Sequence, residues 1–382
     1  MNNNTGKQMK ISSNFDAGNI EVIKADLPQD IHLKIKNDNH SNFYQWFYYK
    51  LSGAKDQLCA MTIENAAGAA YPDGWEGYQA VASYDREHWF RVSTLYKDGQ
   101  IIIQHVPETD CIYYAYFAPY SMERHNDLIA QACESEQVTL EVLGETLDGQ
   151  DMDLLVIGQD SPEKKKIWVI ARQHPGESMA EWFVEGFLDR LLDEDEALSQ
   201  ALLEKAVFYV IPNMNPDGSK RGHLRTNAVG SNLNREWQNP TLEKSPEVFY
   251  TRNKMDETTI DIVLDVHGDE ALPYNFIAAF EGNKEPNAHK LGLATEFQRE
   301  LMRVNPDFQM THGYPVEEAG TADMRVATNQ LAERYDAVAM TLEMPFKDTI
   351  ESPNEITGWS PSRAKKLGQS ALHAFMHIID DV

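Results

Sequence analysis

The chain has 382 residues and a formal net charge of -26 at pH 7. Its hydrophobic content of 42%, with 10% aromatic residues, is typical of a globular protein and too high for a disordered one. The negative charge disfavours nucleic acid and anionic membranes as partners, and no apolar run approaches the roughly 18 residues of a membrane span.

The start of the chain and the cysteines together suggest a cellular location. Residues 1–10 are polar and lack the apolar core of a secretory signal. The three cysteines, Cys59, Cys111 and Cys133, are odd in number and have no C-x-x-C spacing. This usage is typical of free thiols in a reducing compartment. We therefore predict a cytoplasmic protein.

Residues 1–120 are predicted to form an N-terminal β-sandwich domain. Two domains are expected from the length, because one hydrophobic core rarely serves so long a chain. The first part contains short β segments separated by polar turns, the pattern of a sandwich. The predicted strands are 31–35, 43–51, 81–84, 89–94, 101–105 and 111–117.

Residues 121–382 are predicted to form an α/β domain with a mixed central sheet flanked by helices, because strands and helices alternate there. The predicted strands are 138–143, 154–158, 167–171, 207–211, 260–266 and 337–342. The predicted helices are 121–133, 178–192, 291–302 and one that follows Ser360-Pro361. Functional groups of such sheets gather beyond the carboxyl ends of the strands.

Three possible metal ligands stand at these strand ends. His174 and Glu177 lie three residues apart where strand 167–171 leads into a helix, and His267 follows strand 260–266. Two imidazoles, one carboxylate and an open position make up the ligand set of a hydrolytic zinc site. Taken singly, each residue also fits a solvated loop or a structural role. The residue types alone leave both interpretations open.

The loop after strand 207–211 is locally positive. Between Ser219 and Arg235 it contains four cations and no acid. The four cations are Lys220, Arg221, Arg225 and Arg235. Arginine binds planar carboxylates through paired hydrogen bonds. The loop therefore fits either a pocket for an anionic substrate group or a solvated segment whose charges pair elsewhere.

The ordered set of motifs resembles the M14 metallocarboxypeptidases, in the bacterial type of their cytosolic carboxypeptidase branch. The motifs are His174-Pro175-Gly176-Glu177-Ser178, Asn215-Pro216-Asp217-Gly218, Leu233-Asn234-Arg235, Asp265-Val266-His267-Gly268 and Thr341-Leu342-Glu343. Upstream segments, including Gln45-Trp46-Phe47-Tyr48 and Ser83-Tyr84-Asp85, resemble the β domain that precedes catalysis in that branch. The resemblance covers most of the chain.

This resemblance implies a zinc carboxypeptidase with one Zn²⁺ per chain. His174, Glu177 and His267 would bind the metal. Glu343, at the end of strand 337–342, would act as the general base and then as the acid. The implied partner is the C-terminus of a peptide or protein, with neither nucleic acid nor a membrane involved.

The resemblance also implies residues that bind the substrate. Asn234 and Arg235 would hold its terminal carboxylate, and Arg225 would polarise the scissile carbonyl. Arg325 lies where the family builds the side-chain pocket, so we expect it to favour an acidic C-terminal residue such as glutamate. The sequence alone does not identify a counterpart of the family's mobile pocket tyrosine.

Two other functions remain open at this point. An M14-like N-acyl amino acid deacylase would share the zinc ligands and the general base, although the Asn234-Arg235 pair argues against it. A non-catalytic binding module would keep the zinc as a structural centre, although the presence of Glu343 argues against that. The departures Thr226-Asn227 and Asp269-Glu270 from the family's usual motifs concern specificity.

Overall fold

The structure is a computed structural model that describes residues 9–382. The prediction about a secretory signal at the start of the chain falls largely on residues outside this range. Within it, no helix combines the length and apolar character needed to cross a membrane. All three cysteines are free thiols, with Cys59 buried and the other two exposed.

Before residue 117, the described chain forms ten strands in two five-stranded sheets. The strands are β1 (Lys10–Ser12), β2 (Glu21–Leu27), β3 (Asp30–Lys34), β4 (Tyr48–Ser52), β5 (Cys59–Ile63), β6 (Val81–Ser83), β7 (Phe90–Arg91), β8 (Ser93–Lys97), β9 (Gln100–His105) and β10 (Cys111–Ala115). The first sheet has the order β1-β4-β10-β6-β7 and the second β2-β3-β5-β9-β8. The predicted β-rich N-terminal domain is confirmed.

Alternating side chains join these two sheets into a sandwich. In β3, Ile31 and Leu33 are fully buried while their neighbours are partly exposed, the two-residue period of a strand with one face in a core. Tyr49 of the first sheet donates its hydroxyl hydrogen to the sulfur of Met61 in the second, at 3.2 Å. The predicted strand 89–94 divides at Val92, since β7 pairs in one sheet and β8 in the other.

The rest of the chain forms a seven-stranded mixed sheet with helices on both faces. The strands are β11 (Val138–Glu145), β12 (Asp151–Ile157), β13 (Lys165–Ala171), β14 (Ala206–Ile211), β15 (Ile262–Asp269), β16 (Phe276–Ala278) and β17 (Val338–Pro345). Their order is β11-β12-β14-β13-β15-β17-β16, with β14, β13, β15 and β17 parallel. The predicted α/β fold with a mixed sheet is confirmed. The domain boundary at residue 120 stays a prediction.

The helices are α1 (Met122–Ala132), α2 (Met179–Leu191), α3 (Ala197–Lys205), α4 (Pro216–Arg221), α5 (Pro246–Thr258), α6 (Ala288–Val304), α7 (Ala327–Tyr335) and α8 (Pro361–Ile378). Successive residues of the central strands pack into two different cores. In β13, Ile167 and Val169 join the core of α2 and α8, whereas Trp168 and Ile170 join that of α5 and α7. These strands therefore read as continuous apolar runs, as expected for a sheet covered on both faces.

Two strands extend further than the sequence predicts. His267 lies within β15 and Glu343 within β17, and the two residues are direct partners across these parallel strands. The predicted positions beyond the strand ends are thus corrected by a few residues, because the ladder continues to Asp269 and Pro345. The pairing of β15 with β17 alone places His267 and Glu343 side by side.

Candidate metal centre and substrate cleft

A tight turn after β13 carries His174 and Glu177. The turn begins at Arg172, which has a left-handed backbone with a φ of 59°. The buried Arg172 guanidinium donates to the carbonyl oxygens of Pro175 (3.0 Å) and Tyr120 (2.8 Å). It also pairs with Glu181 of α2 at 2.7 Å. Arg172 therefore ties the turn to α2 and to the segment before α1 from inside the protein.

Gly176 lets the turn approach a second loop closely. Its N–H donates to the carbonyl of Leu224 at 2.8 Å. A Cβ at position 176 would lie 2.9 Å from that same oxygen, which is too close for any larger residue to be accommodated without movement. The turn with His174 and the loop with Arg225 are thus built as neighbours.

His174, Glu177 and His267 come together in the structure. Each offers one ligand atom, and these atoms all lie within 4.8 Å of one another. Nδ1 of His174 is 2.7 Å from Glu177 Oε1, and Nδ1 of His267 is 2.8 Å from Glu177 Oε2. All three side chains are buried. The group can hold one metal ion.

The hydrogen bonds around the two imidazoles fit a cation between them. Nε2 of His174 lies 3.0 Å from Asn232 Oδ1, and Nε2 of His267 lies 2.9 Å from Asp265 Oδ2. When each Nε2 donates its ring proton to these acceptors, the two Nδ1 atoms, 3.2 Å apart, present their lone pairs to a shared cation. Two facing lone pairs repel each other unless a cation lies between them. The donor set, two imidazoles and a carboxylate, matches zinc.

The local charges favour the same outcome. Burial, together with the Arg225 charge, lowers the pKa of His174 to about 4, which keeps its ring neutral. Burial opposes a charge on His267, yet the carboxylates of Asp265 and Glu177 outweigh it and raise the pKa of His267 well above its usual range. These carboxylates would attract a metal cation in the same way that they attract a proton.

Glu343 lies beside this group with one oxygen unengaged. Its Oε1 lies 3.2 Å from the Tyr314 hydroxyl. Its Oε2 is buried without a hydrogen-bond partner among the described residues. Burial raises the pKa of Glu343 well above its ordinary value, and the carboxylates of Glu177 and Asp269 add to that effect. Such a carboxyl readily accepts a proton.

The predicted substrate-binding residues line the same cleft, which has a volume of about 590 Å³. Asn234 and Arg235 lie on its wall, where Asn234 Oδ1 accepts from the N–H of Ala327 at 2.8 Å. Arg225 reaches further inward, with Nη1 3.9 Å from Glu177 Oε1. The structure therefore brings both arginines and the asparagine into the cleft that contains the metal-binding group.

Arg325 is the one predicted site residue that the structure places elsewhere. Its side chain is 60% exposed, forms an ion pair with Asp323 at 2.8 Å and is not part of the cleft wall. Asp323 does line the cleft, and it also lies 3.7 Å from Arg235. In this short loop Asp323 faces the cleft, and Arg325, two residues later, points outward.

Tyr314 is a cleft residue that the sequence interpretation missed. Its hydroxyl donates to Asp269 Oδ2 at 2.7 Å and also reaches Glu343, while its ring packs edge-on against Phe276. The residue stands between Gly313 and Pro315 in a long loop, outside any periodic pattern. The sequence feature that could have identified Tyr314 is its position shortly before Arg325, where the side-chain pocket is predicted.

Comparisons with known proteins agree with this arrangement. The family profile described as the cytosolic carboxypeptidase N-terminal domain matches residues 11–117. The profile described as zinc carboxypeptidase matches residues 122–356. An uncharacterised protein of Zymomonas mobilis is 51% identical over 98% of this chain and 97% of its own length.

A solved structure and a more distant relative also resemble this chain. A metallo-carboxypeptidase from Pseudomonas aeruginosa, solved in complex with (2-guanidinoethylmercapto)succinic acid, is 45% identical with a TM-score of 0.95. The match covers 97% of this chain and 99% of that one. Cytosolic carboxypeptidase 1 of Xenopus laevis is 28% identical over 64% of this chain, which spans only 24% of that longer protein.

Proposed function

The chain belongs to the M14 family of zinc carboxypeptidases and carries the N-terminal domain of cytosolic carboxypeptidases, and we propose that it removes single amino acids from free peptide or protein C-termini. The observation that carries this proposal is the shared cleft. It joins the His174, Glu177 and His267 group to Arg235, the cation proposed for a terminal carboxylate.

The chemistry divides between the metal and the side chains of the chain. Zinc held by His174, Glu177 and His267 would polarise the scissile carbonyl and lower the pKa of water. Glu343 takes one proton from the attacking water through Oε2 and later delivers it to the leaving amine, so the C–N bond breaks without a free amide anion. Arg225 stabilises the negative charge that develops on the carbonyl oxygen.

Recognition of the free carboxylate gives a direct test of exopeptidase action. We expect a peptide with an amidated C-terminus to be cleaved with a kcat/KM roughly 10- to 100-fold below that of its free acid, because a charge-assisted hydrogen bond to Arg235 is lost. Arg235→Ala should lower kcat/KM for the free acid by a similar factor and leave the amide almost unchanged. Product release can be followed by mass spectrometry.

The control for this test is Arg299→Ala, since Arg299 is an exposed arginine of α6 that pairs with Glu296. It should leave both substrates unaffected. Equal cleavage of amide and acid by the wild type would contradict carboxylate recognition. Release of an acyl group from N-acyl amino acids, with peptides left intact, would instead favour the deacylase. Bound zinc without hydrolysis of any substrate would favour a binding module.

The preference for a C-terminal side chain is a separate question. The sequence suggests an acidic residue read by Arg325, but that arginine would have to leave Asp323 and turn inward. The remaining charged residues of the cleft wall are acidic, namely Asp269, Glu270, Glu281, Glu317 and Asp323. The Pseudomonas relative was solved with a ligand that combines a guanidinium group with a succinic acid. Both observations favour a cationic side chain in this cleft.

We therefore expect peptides ending in lysine or arginine to be cleaved faster than those ending in glutamate or aspartate, by roughly tenfold or more, since opposite charges meet in a partly desolvated cleft. A panel of peptides that differ only in the last residue, with zinc supplied, would measure the ratio. Arg325→Ala should leave this ratio unchanged. Faster release of glutamate, lost selectively in Arg325→Ala, would restore the acidic assignment.

We also propose that the protein acts in the cytoplasm. Cys111 and Cys133 are exposed free thiols, which persist in a reducing compartment. The distant relatives are called cytosolic carboxypeptidases. Fractionation of cells that express the full chain, followed by detection of the protein in each fraction, would test this.

A further inference from the structure

An aspartate of the N-terminal sandwich holds the backbone of the Arg225 loop. Asp38 follows β3 and is 2% exposed. Its Oδ1 accepts from the N–H of Leu224 at 2.7 Å, and its Oδ2 accepts from the N–H groups of Arg225 (2.8 Å) and Thr226 (2.9 Å). The Thr226 hydroxyl donates to Oδ2 as well, at 3.0 Å. One buried carboxylate thus fixes three consecutive residues.

The same part of the sandwich also covers the Arg225 side chain. The guanidinium carbon lies 5.3 Å from the ring centre of Tyr71 and 5.8 Å from that of Phe43. Both rings belong to the N-terminal domain, and Tyr71 also lines the cleft. An arginine over aromatic faces is attracted to them and is hydrated less. Backbone and side chain of Arg225 are therefore both held from the other domain.

The segment around Asp38 is itself firmly placed. The Asp38 N–H donates to the carbonyl of Phe43 at 2.8 Å, which closes a short loop. The Asn39 N–H donates to Nε2 of His223 at 3.1 Å. Gly230 packs so closely that a Cβ there would lie 2.6 Å from the carbonyl oxygen of His40. The loop that contains Asp38 is therefore held in place against the segment that contains Arg225.

We infer that Asp38 is a positioning residue for Arg225, so that the N-terminal sandwich completes the active site by fixing the arginine that stabilises the developing oxyanion. This inference rests on the role given to Arg225 in the proposed function. A carboxylate suits the task because it offers two acceptor oxygens to four donors and no donor of its own. Its four partners all lie at positions 224–226, directly around the arginine that it orients.

Asp38→Asn in the full chain is the test, because it keeps the shape of the side chain but turns an amide NH₂ toward backbone N–H groups. We expect kcat to fall about 10- to 100-fold while KM changes less than threefold and bound zinc stays at one per chain. A positioning role predicts this split, since Arg225 acts on charge that develops after binding. An unchanged kcat would overturn the inference.

A double-mutant cycle separates positioning from general stability. In an Arg225→Gln background, Asp38→Asn should cause less than a twofold further loss of kcat, because the residue it positions is gone. An equal loss in both backgrounds would overturn the inference. Arg225→Gln with wild-type kcat would instead refute the role of Arg225 in the proposed function. A low kcat for Arg225→Gln beside a normal one for Asp38→Asn would refute the Asp38 inference alone.

Asn19→Ala is the matched control. Asn19 is a buried residue of the same domain whose side chain donates to the carbonyl of Gly222 at 2.9 Å, on the same loop but three residues before Arg225. It should lower the melting temperature while preserving kcat. If Asp38→Asn does not fold, Phe43→Leu removes one ring face from Arg225 and leaves the hydrogen bonds in place. A kcat reduced about 3- to 10-fold by Phe43→Leu supports the inference, and an unchanged one overturns it.

Discussion

Replacement of Glu343 by glutamine is expected to lower kcat by roughly 10²- to 10⁴-fold, the range over which a positioned general base and acid contributes. Glutamine keeps the size of the side chain and its place beside the Tyr314 hydroxyl, which lies 3.2 Å from Oε1 of Glu343. It can neither take a proton from water nor return one to the leaving amine. The measurement is steady-state hydrolysis of a free-acid peptide, combined with elemental analysis for zinc.

Zinc content should remain near one ion per chain in this variant, because Glu343 is not one of the three grouped ligands. Glu247→Gln is the matched control, since Glu247 is also a buried glutamate and burial raises its pKa to about 8. Burial thus favours the neutral form of Glu247, which glutamine resembles, so this replacement should have little effect on kcat. A Glu343→Gln enzyme with more than a tenth of wild-type activity would contradict the general-base role.

The strands that carry this site could be predicted because their sequences are simple. The parallel strands are buried on both faces, so β13 and β15 appear as short apolar runs, and a polar residue at the end of such a run is conspicuous. His174 and Glu177 stand out after β13 for that reason. His267 and Glu343 do so in the last residues of their strands, where the register then places them side by side.

The rest of the site depends on contacts that have no local pattern. Asp38 lies 187 residues from Arg225, in another domain, and its environment resembles an ordinary polar turn in the sequence. Tyr314 is in a loop, where side-chain direction is set by tertiary contacts. The inward or outward position of Arg325 depends on which of two nearby residues, Asp323 or Arg325, faces the cleft. Neither periodicity nor composition determines that choice.

Loss of one metal ligand is also expected to have a large effect, on both zinc affinity and hydrolysis. His267→Ala is expected to weaken zinc binding by more than the ~10- to 100-fold that follows removal of an outer hydrogen-bond partner, and to abolish measurable hydrolysis. Only His174 and Glu177 would remain, from a single turn, and Glu177 Oε2 would lose its 2.8 Å contact with the ring. Zinc affinity can be measured by competition with a chelator of known affinity.

Two further variants and a chelator treatment test whether zinc is bound by His174, Glu177 and His267. Asp265→Asn should weaken zinc only ~10- to 100-fold, because it keeps His267 but removes the carboxylate 2.9 Å from Nε2. His289→Ala removes a histidine whose Nε2 bonds the carbonyl of Asp381, and this variant should bind zinc like the wild type. Chelator-treated wild type should lose activity and regain it with added zinc. If His267→Ala kept wild-type zinc affinity, the metal would have to be bound by other side chains, and Glu343 would no longer lie beside the reacting water.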